Sequence, residues 1–518
     1  AFRKNLSVRN SGHTLEGKDL FDPSFFGLTD EEARAMNPHQ RLIMLEGWKA
    51  FEDAGLNPWD LAGSRSAIYI GAEPCNWYEG SFTGASDAII ASRLSYLLDL
   101  KGPALVINTG CSSSGTAIHL ACESLRRGEA DLALAGGVAA SLSEESLGQL
   151  RDTEMLSPSK QCRSFANDAD GMVLSEAVGA VVLKRYDQAS ADGDPIYGVI
   201  KASGMNQDGA SNGITAPNGK AQESLLTETW RNFGIEPASL SHFEVHGTGT
   251  LLGDAVEGNA LARAFRSQTS EEGFCQLGLS KTTLGHTGAA SGVIGLIKLM
   301  LCLRHRYLPG PGLVGAPNSM LDLDGSALAL PRGGANWAAA EGRPLCAGLN
   351  VFGHAGTNIH LVVQEAEAVN PQRPAPNSSF NLMKLQPGSA IPTKPQTAAE
   401  PDELLEETKK VFLRVLAHRL EKPVASISSK STWHDLGAGS LALIGFARDL
   451  ESIVGFEVKP SLFFEYPTPA KLAEYLHTQD MPTLEAKADD QVLAVLESFR
   501  EGGLDFDQAL ILLSEDET

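Results

Sequence analysis

The sequence predicts a large α/β unit followed by a small all-α bundle. Between about residues 20 and 365, short apolar runs typical of strands alternate with segments of helical periodicity. Residues 366–400 lose this periodicity, and residues 401–477 return to helical periodicity with almost no strand signal. Alternation of strands and helices is typical of α/β layers, and helices alone are typical of a bundle.

The elements of the α/β unit follow from these two periodicities. The predicted strands are 66–70, 132–135, 178–183, 198–202, 243–245 and 359–363. The clearest helical patterns are 40–54, 222–233 and 293–304. We therefore assign residues 1–365 to the α/β unit.

The remainder of the chain divides by composition. Residues 366–400 are rich in Pro, Ser, Asn and Gln, which predicts a flexible linker. Residues 401–480 form the predicted bundle, and residues 481–518 carry two short amphipathic helical patterns. The sequence thus predicts two folded units, a linker and a helical C-terminal segment.

Charge and composition exclude several classes of function. The chain of 518 residues has a net charge of −22, which argues against nucleic-acid binding because that requires clustered Lys and Arg. No run approaches the roughly 20 apolar residues of a membrane helix, and the N-terminal residues lack the apolar core of a signal peptide. Seven cysteines without CxxC pairing predict neither a disulfide framework nor a metal site. We expect a cytoplasmic protein without a membrane span.

The segment NTGCSSSGTAIHL (108–120) places Cys111 where an apolar strand turns into a helix. Helix-terminal N–H groups favour a thiolate, and Gly110 lets the backbone approach a substrate closely. This predicts a nucleophilic cysteine that carries an acyl group. The alternative is a buried, inert cysteine, as many cytosolic cysteines are.

Two histidines framed by glycines lie downstream of this cysteine. EVHGTGT (244–250) places His246 after an apolar strand, and SKTTLGHTGAASG (280–292) places His286 before a helix rich in small residues. Either histidine alone is a weak signal. Their joint occurrence with Cys111 favours a nucleophile with two imidazole partners.

Seven ordered motifs give the chain a strong resemblance to the β-ketoacyl synthase (ketosynthase) family of polyketide and fatty acid synthases. These motifs are FDPSFFGLTDEEARAMNPHQR (21–41), NTGCSSS (108–114), CRSFANDADGM (162–172), NQDGASNGITAPN (206–218), EVHGTGTLLGDAVE (244–257), SKTTLGH (280–286) and NVFGHAGTNIH (350–360). The resemblance implies the thiolase fold, with two related halves in a five-layered α/β/α/β/α arrangement, and a homodimer.

The resemblance also implies a role for each site residue. Cys111 would take an acyl group as a thioester from a carrier. His246 and His286 would donate hydrogen bonds to the carbonyl of a carrier-bound malonyl unit and stabilise the enolate left when CO2 departs. Lys281 would tune the electrostatics of the pair. Phe352 would gate access to the cysteine and, with Cys111, supply the N–H groups of an oxyanion hole.

The bundle carries a second site by resemblance. LGAGS (436–440) precedes the helical pattern 441–454 and is followed by LFFEYPTPAKLAEYL (462–476), as in an acyl carrier protein. Ser440 would then carry 4′-phosphopantetheine, attached by a phosphopantetheinyl transferase, although a serine at a helix start is by default an N-cap. Residues 401–518 hold 22 acidic and 11 basic residues, which suits a carrier that docks on basic surfaces.

Departures from the family pattern set further expectations. The glycine-rich strand and helix that normally precede FDPSFFG are absent, so another polypeptide supplies them or the sequence is incomplete. Gly288 stands where the motif after the second histidine usually has Glu. No acyltransferase motif is visible, which predicts a trans-acting acyltransferase. Residues 490–513, within the C-terminal segment 481–518, resemble helical docking elements, which would join other synthase modules and carrier proteins; the alternative is a simple amphipathic hairpin.

Three functions stay open at this point. The leading hypothesis is decarboxylative condensation that extends a polyketide chain. The second is a non-elongating transacylase that moves the chain between Cys111 and Ser440. The third is an inactive dimeric scaffold. Family members that only transfer the chain typically lose the first histidine, so His246 favours condensation.

Overall fold

The computed structural model divides the chain into two compact units, Ala1–Gly388 and Ser389–Thr518. The structure describes residues 14–75, 82–140, 155–339, 343–367 and 377–385 of the first unit. In the second unit it describes residues 403–478 except 421, 434, 435, 437, 439, 455–457, 459–461 and 467. The predicted docking segment, 481–518, lies outside the described residues.

The described strands all belong to the first unit, and the described helices belong to both. The strands are β1 (Leu20–Phe21), β2 (Ser66–Ala72), β3 (Ala104–Ile107), β4 (Leu132–Ala139), β5 (Ala177–Lys184), β6 (Val199–Gln207), β7 (Leu240–Glu244), β8 (Cys275–Gly278), β9 (Tyr307–Leu308), β10 (Leu328–Ala329), β11 (Ala335–Asn336), β12 (Cys346–Phe352), β13 (Thr357–Gln364) and β14 (Met383–Lys384). The α helices are α1 (Asp30–Ala35), α2 (Pro38–Asp53), α3 (Phe82–Ala85), α4 (Ile89–Leu97), α5 (Ser113–Arg127), α6 (Tyr186–Ala191), α7 (Gly219–Phe233), α8 (Leu251–Arg266), α9 (Ser280–Leu284), α10 (Ser291–His305), α11 (Glu403–Arg419), α12 (Ser440–Val454), α13 (Leu462–Glu465) and α14 (Pro469–Thr478).

Local sequence explains where the longer helices of the first unit begin and end. Asn37 caps α2, which continues with a proline that needs no N–H partner. Asn218 caps α7 by accepting hydrogen bonds from Lys220 and Ala221. Helix α5 ends at Gly128, whose φ of 70° is left-handed and therefore suits glycine.

The first sheet has the strand order β3-β2-β4-β5, with β5 antiparallel to its neighbour. All seven residues of β2 are buried, as expected for a sheet that is covered on both faces. One face packs against α2 through residues such as Trp48 and Phe51. The other face packs against α5 through residues such as Ile118.

The second sheet has the strand order β10-β8-β7-β12-β13-β6. One face shares a core with α5 and α10, in which Val293 and Leu296 lie with Leu349 and Leu361. The opposite face packs against α7 and α8 through residues such as Trp230. The order of layers is therefore α2, first sheet, α5 with α10, second sheet, and α7 with α8, which confirms the predicted five-layered thiolase-like arrangement.

The two sheets repeat one four-strand topology, and the second sheet has one further strand at each edge, β10 and β6. Strands β2, β3, β4 and β5 have the same order and directions as β7, β8, β12 and β13. In the second sheet β6 lies beside β13. Within the described part of the chain, no strand lies in the equivalent place beside β5, and a cavity of about 800 Å³ runs along that edge.

Part of the segment predicted to be a flexible linker, 366–400, is folded. Residues 377–385 pack on the first unit, where β14 pairs with β1 and Leu385 is fully buried. Ser378 donates hydrogen bonds to Glu52 from its backbone N–H at 2.9 Å and its hydroxyl at 2.5 Å. The prediction of a flexible linker is wrong for these residues, because the segment NSSFNLMKL contains enough apolar side chains to pack a short strand against the first unit.

One described stretch, Gly288–His305, is long and apolar enough to cross a membrane by length and composition. It includes α10, and 56% of it is buried inside the protein. Its Val293, Leu296 and Leu299 belong to the core between the two sheets. The apolar character of this stretch is therefore explained by its place in the central helix layer.

The second unit is helical in its described residues, as predicted. Its core contains Phe412, Trp433, Phe446 and Leu472, all 5% exposed or less. Trp433 Nε1 donates to the carbonyl of Tyr466 at 2.7 Å, which ties the segment before α12 to the segment after α13.

Candidate active site

Cys111 lies in the short connection between β3 and α5. Hydroxyl groups at the start of the helix hold this connection. Ser113 Oγ donates to the Gly110 carbonyl at 2.6 Å, and Ser112 Oγ donates to the Thr109 carbonyl at 3.0 Å. The small polar residues after the cysteine therefore fix the backbone that carries it.

His246 follows β7 and is held by a carboxylate from α8. Glu257 accepts hydrogen bonds from the backbone N–H groups of His246 and Gly247, each at 2.8 Å. The Phe352 N–H points at His246 Nδ1 at 3.4 Å. Because Nδ1 accepts this hydrogen bond, the proton of the neutral imidazole lies on Nε2, which is then a donor.

His286 follows α9 and is 1% exposed. Its backbone N–H donates to the Val173 carbonyl at 2.6 Å, and its carbonyl accepts from the Ser175 N–H at 2.9 Å. Its Nδ1 lies 3.0 Å from Ser291 Oγ at the start of α10. A serine hydroxyl that donates to Nδ1 leaves Nε2 as the N–H donor.

The structure brings the two predicted histidines together. The ring centroids of His246 and His286 lie 5.4 Å apart, with the ring planes at 90°. Burial lowers the pKa of His246 well below 6.5 and that of His286 to about 3, and the charge of Lys281 adds to both shifts. Both imidazoles are therefore neutral at physiological pH and suited to donate hydrogen bonds.

Lys281 lies in α9 and is 7% exposed. Its charge acts on both histidines and on the Cys111 thiol. Burial lowers its own pKa, and the nearby Glu257 carboxylate opposes that shift. The predicted electrostatic influence of Lys281 on the histidine pair is thus consistent with its position.

At the Cys111 thiol, burial outweighs the helix-terminal N–H groups that favour a thiolate. Burial raises the pKa of this thiol to about 12, and the negative charge of Glu73 acts in the same direction. Lys281 and two backbone N–H groups oppose the shift but do not cancel it. A helix terminus alone does not offset the desolvation of an anion, so the thiol must lose its proton during the reaction.

The sequence assigned the second N–H of the oxyanion hole to Phe352, but in the structure His354 is the better candidate for this role. The backbone N–H groups that lower the pKa of the Cys111 thiol are those of Cys111 itself and of His354. The Phe352 N–H is directed at His246 instead, and the Phe352 side chain is 9% exposed beside that histidine. The geometry therefore favours the N–H of His354 as the second oxyanion donor.

Sequence reasoning missed two carboxylates that hold the histidine loop. Asp254 accepts from the backbone N–H groups of Phe165 at 2.7 Å and Gly249 at 3.2 Å. With Glu257, it anchors the HGTGT segment to α8. Both residues stand in the motif EVHGTGTLLGDAVE, and their spacing of three places them on one helix face, which is a signal that could have identified them.

Ser440 is the first residue of α12, in the second unit. The helix has 15 residues, and its N-terminal N–H groups suit a phosphate ester attached at this position. The position of Ser440 therefore fits a phosphopantetheine attachment point.

The five layers and the arrangement around Cys111 define a ketosynthase-class protein with the thiolase-like fold. Residues 3–189 match "Beta-ketoacyl synthase, N-terminal domain", and residues 197–311 match "Beta-ketoacyl synthase, C-terminal domain". The chain belongs to the β-ketoacyl synthase family. Residues 410–476 match "Phosphopantetheine attachment site", so the second unit is a carrier-protein domain.

Similar proteins include polyketide synthases. Polyketide synthase PksL of Bacillus subtilis is 43% identical over 359 residues, which are 68% of this chain and 8% of that protein. Polyketide synthase ThaG of Burkholderia thailandensis is 43% identical over 366 residues, 70% of this chain and 6% of that protein. The chain thus spans less than a tenth of the length of these two relatives.

Solved ketosynthase structures share the fold of the first unit. The ketosynthase from module 6 of the bacillaene synthase of Bacillus subtilis has a TM-score of 0.66 at 42% identity, covering 68% of this chain and 64% of that one. Ketosynthase twelve of the bacillaene synthase of Bacillus amyloliquefaciens has a TM-score of 0.64 at 32% identity, covering 70% and 67%.

Proposed function

We propose that this protein extends a polyketide chain by decarboxylative Claisen condensation. The observation that carries the proposal is the pair of neutral imidazoles, His246 and His286, whose rings lie 5.4 Å apart and share with the Cys111 thiol the influence of the Lys281 charge. Two N–H donors that converge on one carbonyl oxygen stabilise an enolate, and acyl transfer alone has no use for them.

The first step is acyl transfer to Cys111. The sulfur attacks the thioester carbonyl of an acyl donor, and the tetrahedral oxyanion accepts hydrogen bonds from the N–H groups of Cys111 and His354. The bond to the donor's sulfur breaks, so one thioester is exchanged for another and the donor leaves as a thiol.

The second step forms the carbon–carbon bond. A malonyl-type thioester places its carbonyl oxygen against Nε2–H of His246 and His286, and loss of CO2 leaves an enolate at that oxygen. The enolate carbon attacks the acyl carbonyl on Cys111. The products are a β-ketoacyl thioester, CO2 and, after uptake of one proton, the free Cys111 thiol.

The presence of a carrier domain supports the proposal that the substrate is delivered on a carrier protein. We propose that Ser440 holds the phosphopantetheine group, which supplies a flexible arm ending in a thiol. The acidic excess of residues 401–518 suits docking on basic surfaces of partner enzymes. We infer as partners a second copy of the ketosynthase unit, a phosphopantetheinyl transferase, a trans-acting acyltransferase, and other modules with their carriers.

The test separates acyl transfer from condensation. The protein with phosphopantetheine attached is incubated with an acyl thioester donor and a malonyl-loaded carrier, and the masses at Cys111 and on the carrier are followed. The wild type is expected to form acyl-Cys111 and then an acyl chain extended by two carbons. His246→Ala and His286→Ala are expected to form acyl-Cys111 without extension, and Cys111→Ala to form neither.

Two results would contradict the proposal. Transfer of the unextended acyl group from Cys111 to Ser440 in the wild type, without CO2 release, would identify a transacylase. Absence of any acyl group on Cys111 would identify a scaffold without catalysis.

A further inference from the structure

His354 places a third imidazole beside the nucleophile. It lies in the turn between β12 and β13, and its Nδ1 is 3.8 Å from Cys111 Sγ, within hydrogen-bond reach of sulfur. The side chain is exposed, whereas His286 is buried. Sequence reasoning gave His354 no catalytic role.

Two glycines allow this contact. Gly110 has a left-handed φ of 64°, and a Cβ at that position would lie 2.5 Å from His354 Cε1 and 2.6 Å from Nδ1. A Cβ on Gly353 would collide with the Thr109 carbonyl and lie 2.6 Å from Ser112 Oγ. The backbone on both sides is therefore shaped so that the imidazole lies against the Cys111 connection.

The other two histidines are unsuited to accept the thiol proton. Nδ1 of His246 faces the Phe352 N–H, and Nδ1 of His286 faces Ser291 Oγ. Burial keeps both rings neutral, with the pKa of His286 lowered to about 3. His354, in contrast, is open to water, which solvates an imidazolium.

The charges near the Cys111 thiol disfavour a thiolate that exists before the reaction and favour a thiol that transfers its proton during the attack. Glu73 follows β2, and its Oε2 lies 3.3 Å from the place of a Cβ on Gly288. Its negative charge disfavours a thiolate at Cys111, and Lys281 favours one. The thiol of Cys111 is therefore protonated at rest, and charge separates only as the sulfur attacks.

We propose that the imidazole of His354 is the general base and acid of acyl transfer at Cys111. As the sulfur–carbon bond forms, the proton of the Cys111 thiol moves to His354 Nδ1. As the carbon–sulfur bond to the donor breaks, the same proton moves to the departing sulfur, so the histidine ends neutral. The assignment rests on the proposed acyl transfer to Cys111 and adds its proton carrier.

The test compares His354→Gln and His354→Phe with the wild type in two reactions. His354→Gln keeps a polar group without a basic nitrogen, and His354→Phe keeps an aromatic ring in the same place. Acylation of Cys111 by an acyl pantetheine thioester is followed by peptide mass between pH 6 and 10. Both variants are expected to lose about 100-fold in rate at pH 7, the lower range for general acid–base catalysis, and to recover as hydroxide takes the proton. His305→Gln, an exposed histidine at the end of α10, serves as the control.

The second reaction keeps this proposal separate from the proposed function. Alkylation of Cys111 by iodoacetamide also requires loss of the thiol proton but no acyl transfer, and both variants are expected to react more slowly at pH 7. Condensation from variant protein already acylated on Cys111 is expected to proceed at the wild-type rate. The inference is overturned if His354→Phe acylates at the wild-type rate at pH 7, or if acylation and condensation fall equally in both variants. If the wild type is never acylated but its alkylation rate at pH 7 depends on His354, the proposed function alone is contradicted.

Discussion

Replacing Glu257 with glutamine tests how the histidine loop is positioned. The Glu257 carboxylate is 3% exposed and accepts hydrogen bonds from the N–H groups of His246 and Gly247 at 2.8 Å and from Asn350 Nδ2 at 3.3 Å. Glutamine keeps one acceptor oxygen and turns an NH2 group toward the other backbone donor. One buried N–H is left without a partner, at a cost of about 1–3 kcal/mol.

The loss should appear in condensation and not in acylation. A displacement of about 1 Å in a catalytic group can cost about 100-fold in rate. We therefore expect Glu257→Gln to slow condensation by about 10- to 100-fold, equivalent to about 1.4–2.7 kcal/mol of activation free energy. Acylation of Cys111, which does not involve the His246 side chain, should change little.

The assay is single-turnover mass spectrometry of acyl-Cys111 and of the extended carrier-bound product, with thermal unfolding measured beside it. Glu228→Gln, the same substitution at an exposed position of α7, is the matched control and should leave both rates unchanged. Equal loss of both rates in Glu257→Gln, or no loss of the condensation rate, would show that Glu257 does not position the histidine loop.

Three further predictions concern stability. Burial raises the pKa of Asp254 from 3.8 to about 7, so the folded protein keeps a proton that the unfolded chain releases. The contribution of Asp254 to the free energy of unfolding is full below pH 4 and falls by up to about 4 kcal/mol as pH rises to 7. In urea unfolding, Asp254→Asn should lose this decrease of unfolding free energy with pH. An unchanged pH dependence in the variant would contradict the raised pKa of Asp254. Leu385→Ala should destabilise the first unit by about 2–5 kcal/mol in calorimetry, whereas Leu382→Ala, at a position 41% exposed, should not. Equal effects of the two substitutions would mean that residues 377–385 are not part of the hydrophobic core of the first unit. Arg419→Ala should destabilise the carrier unit by about 1–3 kcal/mol, because it removes the partner of the buried Asp449 carboxylate, now at 2.6 Å. The loss is smaller than for a fully buried pair because the Arg419 side chain is 39% exposed; no measurable loss would show the pair to behave like a surface pair.

The layered fold was predictable from the sequence because buried strands and amphipathic helices leave periodic signals. The runs 132–135 and 178–183 lie within β4 and β5, and the helical pattern 222–233 lies within α7. The short strand β14 was not predictable in the same way. Its two residues carry no periodicity, and its stability comes from β1, which is more than 360 positions away in the chain.

The candidate site was predictable in its residue types but not in its electrostatics. Glycine-framed motifs mark Cys111, His246 and His286, whereas the protonation state of a thiol depends on how deeply it is buried and which charges surround it. Glu73 and His354 reach Cys111 from separate parts of the chain, so no local pattern could show that they face the same sulfur.

The most direct measurement is the mass of the carrier-bound product after one turnover. Wild-type protein, acylated on Cys111 with a short acyl group, is mixed with a carrier that holds malonate labelled with ¹³C at its free carboxylate. We expect labelled CO2 and a β-ketoacyl carrier longer by two carbons, in equal amounts. Transfer of the acyl group without labelled CO2, or labelled CO2 without a longer chain, would contradict it.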